Sequence, residues 1–465
     1  MDKFYKSIEE LLIHAKKLES KSLYDLYGDK SKDEYLGKGG FGNKVEELHY
    51  GLANNNEGRP DVLNLGIEIK TNPLNKLVNR GFSPKESVSL SMINFTDIAD
   101  EEFNNSAFWN KNKMILYNMY HYTGGDDYLN KFLLIDLISP SASDLEIIKK
   151  DWQYIQNKAK EYKADELSQS DTDYLIAMTK GSKGQVPQPY ANGKGEAKRR
   201  AYAFKGAYIR HLLGEYTLVE EGDNIYYKRK KKPTLYSLLT SEDNGNIEKV
   251  VIEKFRLFLG KSDIEIASCF NKEENFIKQY ENKNLNKARW HNNTSLILTG
   301  VQKKFLSRYI EEFAKSGLTV KTVRLNKQGD LCEEVSFRTQ DFGGLFENTW
   351  EESSLFQEMS CKFLWVVYKE DDVKKNVYNL YKCLFWKMPQ TDLDFLYKKW
   401  IEFKVHIGNQ DYHHQYFQED DSFYYLKIKD NIGGMNKVYN DHKVTKLSHW
   451  LRKAYVRDII YNKKD

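Results

Sequence analysis

The chain has 465 residues, with 71 basic and 67 acidic side chains and a formal net charge of +4. At roughly 150 residues per domain this length predicts two to four domains. Hydrophobic residues make up 40% and charged residues 30%, which excludes wholesale disorder. The four cysteines, Cys269, Cys332, Cys361 and Cys383, include no CxxC pair, which argues against a disulfide scaffold, a zinc ribbon or a thioredoxin-like site.

Residues 5–20 read as an amphipathic helix, with Ile8, Leu11, Leu12, Ala15 and Leu18 on one side. Ser22 caps a second short helix that begins near Leu23. The run GKGGFGNKVEELHYGLA follows, with four glycines in seven positions predicting a turn and helical pattern from Val45 to Leu52. DVLNLGIEIKT (61–71) alternates and reads as a strand or hairpin arm, as do ESVSLSMINF (86–95) and KMILYNMY (113–120). FLLIDLISP (132–140) fits a covered strand, and DLEIIKKDWQYIQNKAKEY (144–162) is a helix. The mixture predicts an α/β (mixed α+β) core. No apolar run approaches the 20 or so residues of a membrane span, so the expected location is the cytoplasm.

The segment KRKKKPTLYSLLTSEDNGNIEKV (228–250) breaks the pattern with a basic run, a proline and a turn-rich stretch, and marks a domain boundary. A repeat spans that boundary. Gly66, Lys70, Thr71, Leu74 and Asn75 match Gly317, Lys321, Thr322, Leu325 and Asn326, and Val88, Ser89 and Phe95 match Val335, Ser336 and Phe342. In the same order, NKNKMILYNMY (110–120) matches MSCKFLWVVYK (359–369), and YAFKGAYIRHLL (202–213) matches WLRKAYVRDII (450–460). The expectation is two copies of one domain, at 1–235 and 236–465.

Acid chemistry sits in the first copy. Asp61 precedes Glu68 by seven residues, and Lys70 follows two further on. Strand alternation puts Glu68 and Lys70 on one face, which flanking Ile67 and Ile69 predict to be the open one. Two carboxylates offer hard oxygen ligands for Mg²⁺, and a lysine beside them orients water and offsets phosphate charge. Glu46, on the helix after the glycine-rich turn, is a third acid for the same ion, whereas Glu47 points about 100° away around the helix. In the second copy Thr319 stands at the Glu68 position, while Lys321 keeps the lysine. GKGGFG lacks the GK[ST] ending of a P-loop, so nucleotide binding is disfavoured.

Base reading needs polar side chains that reach groove edges. The polar run 181–200 offers Lys183, Gln185, Gln188, Asn192, Lys194, Lys198, Arg199 and Arg200. Its counterpart near the end of the second copy offers Lys437, Lys443, Lys446, Arg452 and Lys453.

Taken in order, the segments GGFGNKVE ending at Glu46, Asp61 to Thr71, NKNKMILY (110–117) and YAFKGAYI (202–209) resemble the MutH/Sau3AI family of DNA endonucleases. The likeness is greatest to its two-domain, Sau3AI-type members. The resemblance implies a PD-(D/E)xK nuclease-like core in two tandem MutH-like domains, the second degenerate. It implies a type II restriction endonuclease that cleaves double-stranded DNA at GATC with Mg²⁺. It assigns Glu46, Asp61 and Glu68 to the metal, with Lys70 and Lys111 as active-site lysines and a DNA-reading loop just before and including Arg200 to Lys205; in the second copy Met359 stands where Lys111 stands. The second domain is then an effector that binds a further DNA site, and two chains pair on DNA with looping between sites. The rival expectation is a non-cutting DNA-binding regulator or a mismatch-repair-like nickase.

Overall fold

The structure is a computed structural model that describes residues 4–32, 40–53, 58–77, 81–180, 187–230, 235–273, 277, 286–340, 345–346, 348–374, 377–411, 415–418, 422–428, 437–439, 442–444 and 447–461. The chain divides into two compact units, Met1–Thr234 and Leu235–Asp465.

The first unit opens with α1 (Ile8–Ala15), whose Ser7 cap accepts from Glu10 N, and α2 (Leu23–Tyr27), closed by a Ser22–Asp25 capping box. Helix α3 (Gly40–Val45) runs into a π turn, Glu46–Tyr50, that ends at left-handed Gly51. The predicted glycine turn lies partly outside the described residues, and Gly40 and Gly42 are helical.

Strands β1 (Glu68–Leu77), β2 (Gly81–Pro84) and β3 (Val88–Met92) come next, then α4 (Ala107–Asn112), β4 (Ile115–His121), β5 (Phe132–Ile138) and α5 (Ala142–Lys160). The main sheet has the order β2-β1-β4-β5. Strands β1 and β4 are parallel, which requires the long crossover through α4, and the outer pairs are antiparallel. The first six residues of β4 are all buried, as befits a central strand covered on both faces. Ile69, Leu116 and Tyr120 pack on one face with Phe41, Val45 and Tyr50.

The strand expected over 61–71 is shorter at its start and longer at its end. Val62 and Ile67 close a tight turn by mutual backbone hydrogen bonds, with Gly66 at φ 66°, so β1 begins at Glu68. It then runs on through Pro73, which sits where β1 is still an edge, since β2 pairs only from Leu74 onward.

A second sheet, β3-β9-β6, uses β6 (Leu175–Thr179) and β9 (Arg200–Phe204); between them lie the two-residue strands β7 (Gln188–Pro189) and β8 (Glu196–Ala197). Helix α6 (Gly206–Leu213) and the hairpin β10 (Tyr216–Glu221) and β11 (Asn224–Arg229) complete the unit.

The second unit starts with α7 (Ile247–Arg256), α8 (Asp263–Phe270), α9 (Asn286–Thr299), α10 (Leu306–Tyr309) and α11 (Glu311–Ser316). It continues with β12 (Thr319–Leu325), β13 (Val335–Thr339), α12 (Ser354–Met359), β14 (Phe363–Glu370), β15 (Tyr378–Trp386) and α13 (Gln390–Gly408). Strands β16 (Gln415–Tyr416), β17 (Tyr424–Ile428), β18 (Lys437–Tyr439), β19 (His442–Val444) and β20 (Leu447–Leu451) lead to α14 (Lys453–Ile460). Its sheets are β12-β14-β15, with β12 and β14 parallel, and the antiparallel β13-β20-β17-β16.

The order of β1, β4 and β5 recurs in β12, β14 and β15, and that of β3, β9 and β6 in β13, β20 and β17. Glu68 pairs with Ile115 and Thr319 with Phe363, so Glu68 and Thr319 occupy the same place in their sheets. Counting back along the chain from that register sets Met359 against Lys111, one residue off the direct match of the two segments. Among the described residues no helix is long and apolar enough to cross a membrane.

Candidate active site

The turn at Val62–Ile67 folds Asp61 back alongside the start of β1. There the strand has no neighbour on its outer side, and Asp61 Oδ2 accepts the Ile69 N–H at 2.9 Å. One oxygen therefore completes the backbone hydrogen bonding of an edge. On the other side of the strand, Glu68 N donates to Met114 O and locks Glu68 in the parallel register with β4.

Glu68 and Lys70 share a face, as alternation predicts, but for Glu68 the face is not open. Glu68 is 1% exposed, because Lys70 and Lys111 cover it. Lys70 Nζ donates to Glu68 Oε1 at 2.6 Å, and Lys111 Nζ lies 3.6 Å from the same oxygen. Lys111 comes from the last turn of α4, a helix started by Ser106 and ended just before β4. The C-terminal end of a helix favours a cation. Glu68 Oε2 is buried with no hydrogen-bond partner.

Electrostatics draw Glu46 into the same group. Burial, then the charge of Asp61, pushes the Glu46 carboxyl up to about 8, and Lys70 and Lys111 pull against it. Burial pushes Glu68 up to about 7, with Asp61 adding to the rise and both lysines opposing it. Desolvation thus outweighs two nearby ammonium groups. The sequence-predicted acids and lysines, Glu46, Asp61, Glu68, Lys70 and Lys111, form one interacting cluster. Glu47 is exposed.

Among the described residues no three acidic, histidine or cysteine side chains form a ready metal cage. Magnesium does not need one. It binds through one or two carboxylates and completes its shell with water and phosphate oxygens. A buried carboxylate oxygen lacking a partner, beside a second acid on the strand edge, fits that demand.

The candidate DNA contacts separate into groups. Lys183, Gln185 and Lys446 lie outside the described residues. Asn192 falls in the short turn Ala191–Gly193, and Lys437 and Lys443 on strands β18 and β19. Lys194, Lys198 and Arg199 are exposed, with Lys194 Nζ 5.0 Å from the Tyr162 ring centre, and Gln188 is partly exposed on β7.

Arg200 and Lys205 differ from the expectation of a DNA-facing role, since both are inside the fold. The Arg200 guanidinium donates to Ala177 O at 2.8 Å and Asp165 O at 3.2 Å, and Lys205 Nζ donates to Thr172 O at 2.6 Å. Arg452 is spent likewise on Ser422 O and Gln418 O, at 2.5 and 2.6 Å. Lys453, exposed, donates to Cys332 O at 2.9 Å. Lys205 and Arg452 each precede the helix that follows the β9 or β20 strand, and each pins the backbone ahead of the neighbouring strand.

Two residues beside the cluster escaped the sequence reading. Tyr50 OH donates to Asn118 Oδ1 at 2.7 Å, both residues fully buried. The available signal was a lone asparagine in the otherwise covered run ILYNMY.

In the second unit the residue at the Glu68 place is not an acid. Thr319 occupies the Glu68 place, and Lys321 Nζ donates to Ser336 O at 2.7 Å while lying 3.8 Å from the Phe337 ring centre. Met359 is packed in the apolar core.

The family model described as "DNA mismatch repair enzyme MutH" matches residues 50–151, a span that holds Asp61, Glu68, Lys70 and Lys111. The type II restriction enzyme Sau3AI of Staphylococcus aureus is 31% identical over 399 residues, covering 82% of this chain and 76% of that protein. Likeness of that extent, on a chain whose acids and lysines meet at one strand edge, places this protein in the MutH/Sau3AI family of DNA endonucleases.

Proposed function

We propose that the chain is a type II restriction endonuclease that hydrolyses double-stranded DNA at GATC sites with Mg²⁺. The observation that carries the reading is the placement of Glu68 between Lys70 and Lys111, coupled to Glu46 and Asp61. Restriction and the choice of site rest on the likeness to Sau3AI over most of the chain.

Asp61 and Glu68 hold the ion, with Glu46 as the third acid. Bound Mg²⁺ supplies charge neutralisation on the phosphate oxygens and a more acidic water. Lys70, next to Glu68, orients the attacking water and carries positive charge to the reacting phosphate. Lys111 approaches from the end of α4 and contacts the scissile phosphate. Burial of these groups strengthens each of their interactions relative to water. Lys194, Lys198 and Arg199, all exposed, are read as cations that meet the DNA backbone.

The second unit is read as a degenerate copy that binds a further DNA site as an effector. Matching strand order and register support duplication. Thr319, with Lys321 already engaged by Ser336 O, supports the loss of cutting there. Two chains then pair on DNA, looping between sites, because one catalytic cluster per chain must cut two strands. Tethering two sites raises their effective concentration. A repair-type nickase is the second reading, favoured by the description of the matching family model.

The test incubates the protein and Mg²⁺ with plasmids carrying zero, one or several GATC sites, with and without adenine methylation, and maps the ends. Linear products ending at GATC support the restriction reading. Nicked circles that never become linear support the nickase. Absence of breaks overturns both.

A further inference from the structure

Glu46 and Glu68 belong to different segments, and a buried hydrogen bond joins those segments. Glu46 opens the π turn that Tyr50 closes, and both Gly51 N and Leu52 N donate back to Glu46 O. The turn is held from several sides. Tyr5 OH donates to Tyr50 O at 3.1 Å, His49 Nδ1 meets Tyr27 OH at 2.8 Å, and the His14 and His49 rings stack at 4.5 Å. The bond from Tyr50 OH to Asn118 reaches the sheet itself. Asn118 pairs across β4 with Thr71, the residue after Lys70.

The fold does not demand this pair. In the second unit Thr322 stands for Thr71 and pairs with Val366, which is fully buried. The helix there is regular to its end at Thr299, before left-handed Gly300. Thr299 Oγ1 bonds Ser295 O and Val301 O, its own helix and loop, and that helix meets the sheet through a different, side-chain pair, Thr294 Oγ1 and Thr322 Oγ1 at 3.3 Å. A valine fills the place without polar cost, whereas Asn118 leaves its Nδ2 buried without a partner. The costlier arrangement occurs in the unit that carries the acids, together with the π turn. π turns of this kind recur at functional sites.

We propose that Tyr50 and Asn118 are positioning residues that set Glu46 against Glu68, so that the two carboxylates serve one divalent cation; this rests on the metal-holding role proposed above. Neither touches the reacting atoms. Their bond fixes the rotation of the π turn relative to β1 and β4, and the turn aims Glu46.

The test uses the full-length chain with Tyr50→Phe, Asn118→Val and the double variant. Asn118→Val copies the residue that the second unit tolerates, and Tyr50→Phe removes one oxygen, so folding is retained. The first readout is the melting temperature of EDTA-treated protein titrated with MgCl2, without DNA. The expected result is a somewhat lower melting temperature in EDTA for each single variant, which leaves one buried polar group unpaired, and a value near wild type for the double variant, with the Mg²⁺ concentration for half-maximal stabilisation raised about tenfold in all three. The second readout is cleavage of GATC plasmid, where kcat falls about tenfold and KM for DNA stays within about twofold, as misplacement of a catalytic group predicts. In Mg²⁺ midpoint and kcat the double variant should match either single one, because a single bond is being removed.

Mg²⁺ midpoints within about twofold of wild type in all variants would overturn the proposal, as would a lower melting temperature with no change in Mg²⁺ response. A wild-type protein indifferent to Mg²⁺ overturns the metal-holding role and this proposal together. A wild-type protein stabilised by Mg²⁺ that leaves GATC plasmid intact overturns the proposed specificity alone, and the midpoints still decide the role of Tyr50 and Asn118.

Discussion

Glu68 and Lys70 meet at 2.6 Å on one side of β1, while Ile69 between them is buried in the apolar core on the opposite side. The strand therefore carries a core residue and an acid–lysine pair within three positions. That geometry makes removal of either charge chemically specific, because the core contact is untouched.

Glu68→Ala and Lys70→Ala should each lower cleavage of GATC plasmid by roughly 10²–10³-fold or more, the range seen when one electrostatic group is taken from a preorganised site. DNA affinity, measured by fluorescence anisotropy, should change little, since one buried group contributes little to the phosphate contacts that dominate binding. Parallel loss of binding and cutting would contradict the catalytic assignment.

Stability should fall as pH rises. Burial and nearby acids raise Glu68 to about 7 and Glu46 to about 8, from an ordinary value of 4.5. Raised carboxyls favour the protonated fold, so their contribution is complete below pH 4.5 and is lost as pH rises through 7 and 8. In EDTA the first unit should melt several degrees lower at pH 8.5 than at pH 6 on account of this cluster. Glu68→Gln should flatten that dependence, and Mg²⁺ should restore stability at the higher pH. Scanning calorimetry at the two pH values, with EDTA and with Mg²⁺, measures all three effects.

Lys205 and Arg200 act on the fold. Lys205→Met leaves Thr172 O without its ammonium partner, an expected loss of roughly 1–3 kcal/mol. The salt dependence of DNA binding should stay as in wild type. Lys198→Ala and Arg199→Ala should do the reverse, sparing stability while each reduces the slope of log affinity against log salt by about 1. Denaturant melts and salt titrations of binding separate the two classes.

Cutting should not migrate to the second unit. In a Glu68→Ala background, Thr319→Glu should restore no cleavage, because Lys321 is held by Ser336 O and Met359 offers no charge where Lys111 stands. Recovered Mg²⁺-dependent breaks would show that the second unit keeps a usable site.

Much of this was legible along the chain. Strand alternation put Glu68 and Lys70 on one side with no tertiary information, since a strand's own geometry decides it. Ser22 announced the start of α2 by the reach of its hydroxyl to the N–H three residues on. The similarity between the two halves was visible because the same residue types recur in the same order, and the strands that begin at Glu68 and Thr319 each pair in parallel with a later strand.

What the chain order concealed was cover and company. Lys111 lies over 40 residues beyond Glu68 and meets it only because β1 and β4 run parallel after a crossover. The face predicted to be open is closed by that same lysine. Arg200 and Lys205 looked like DNA contacts by charge alone, yet backbone carbonyls of β6 and of the segment before it claim them. Local patterns follow from bonded geometry and the reach of a few side chains, so the sequence by itself determined many of the elements and the shared face of Glu68 and Lys70. Burial, and the pairing of Tyr50 with Asn118 across 68 positions, depend on which surfaces meet when the chain packs, and only the tertiary structure decided those.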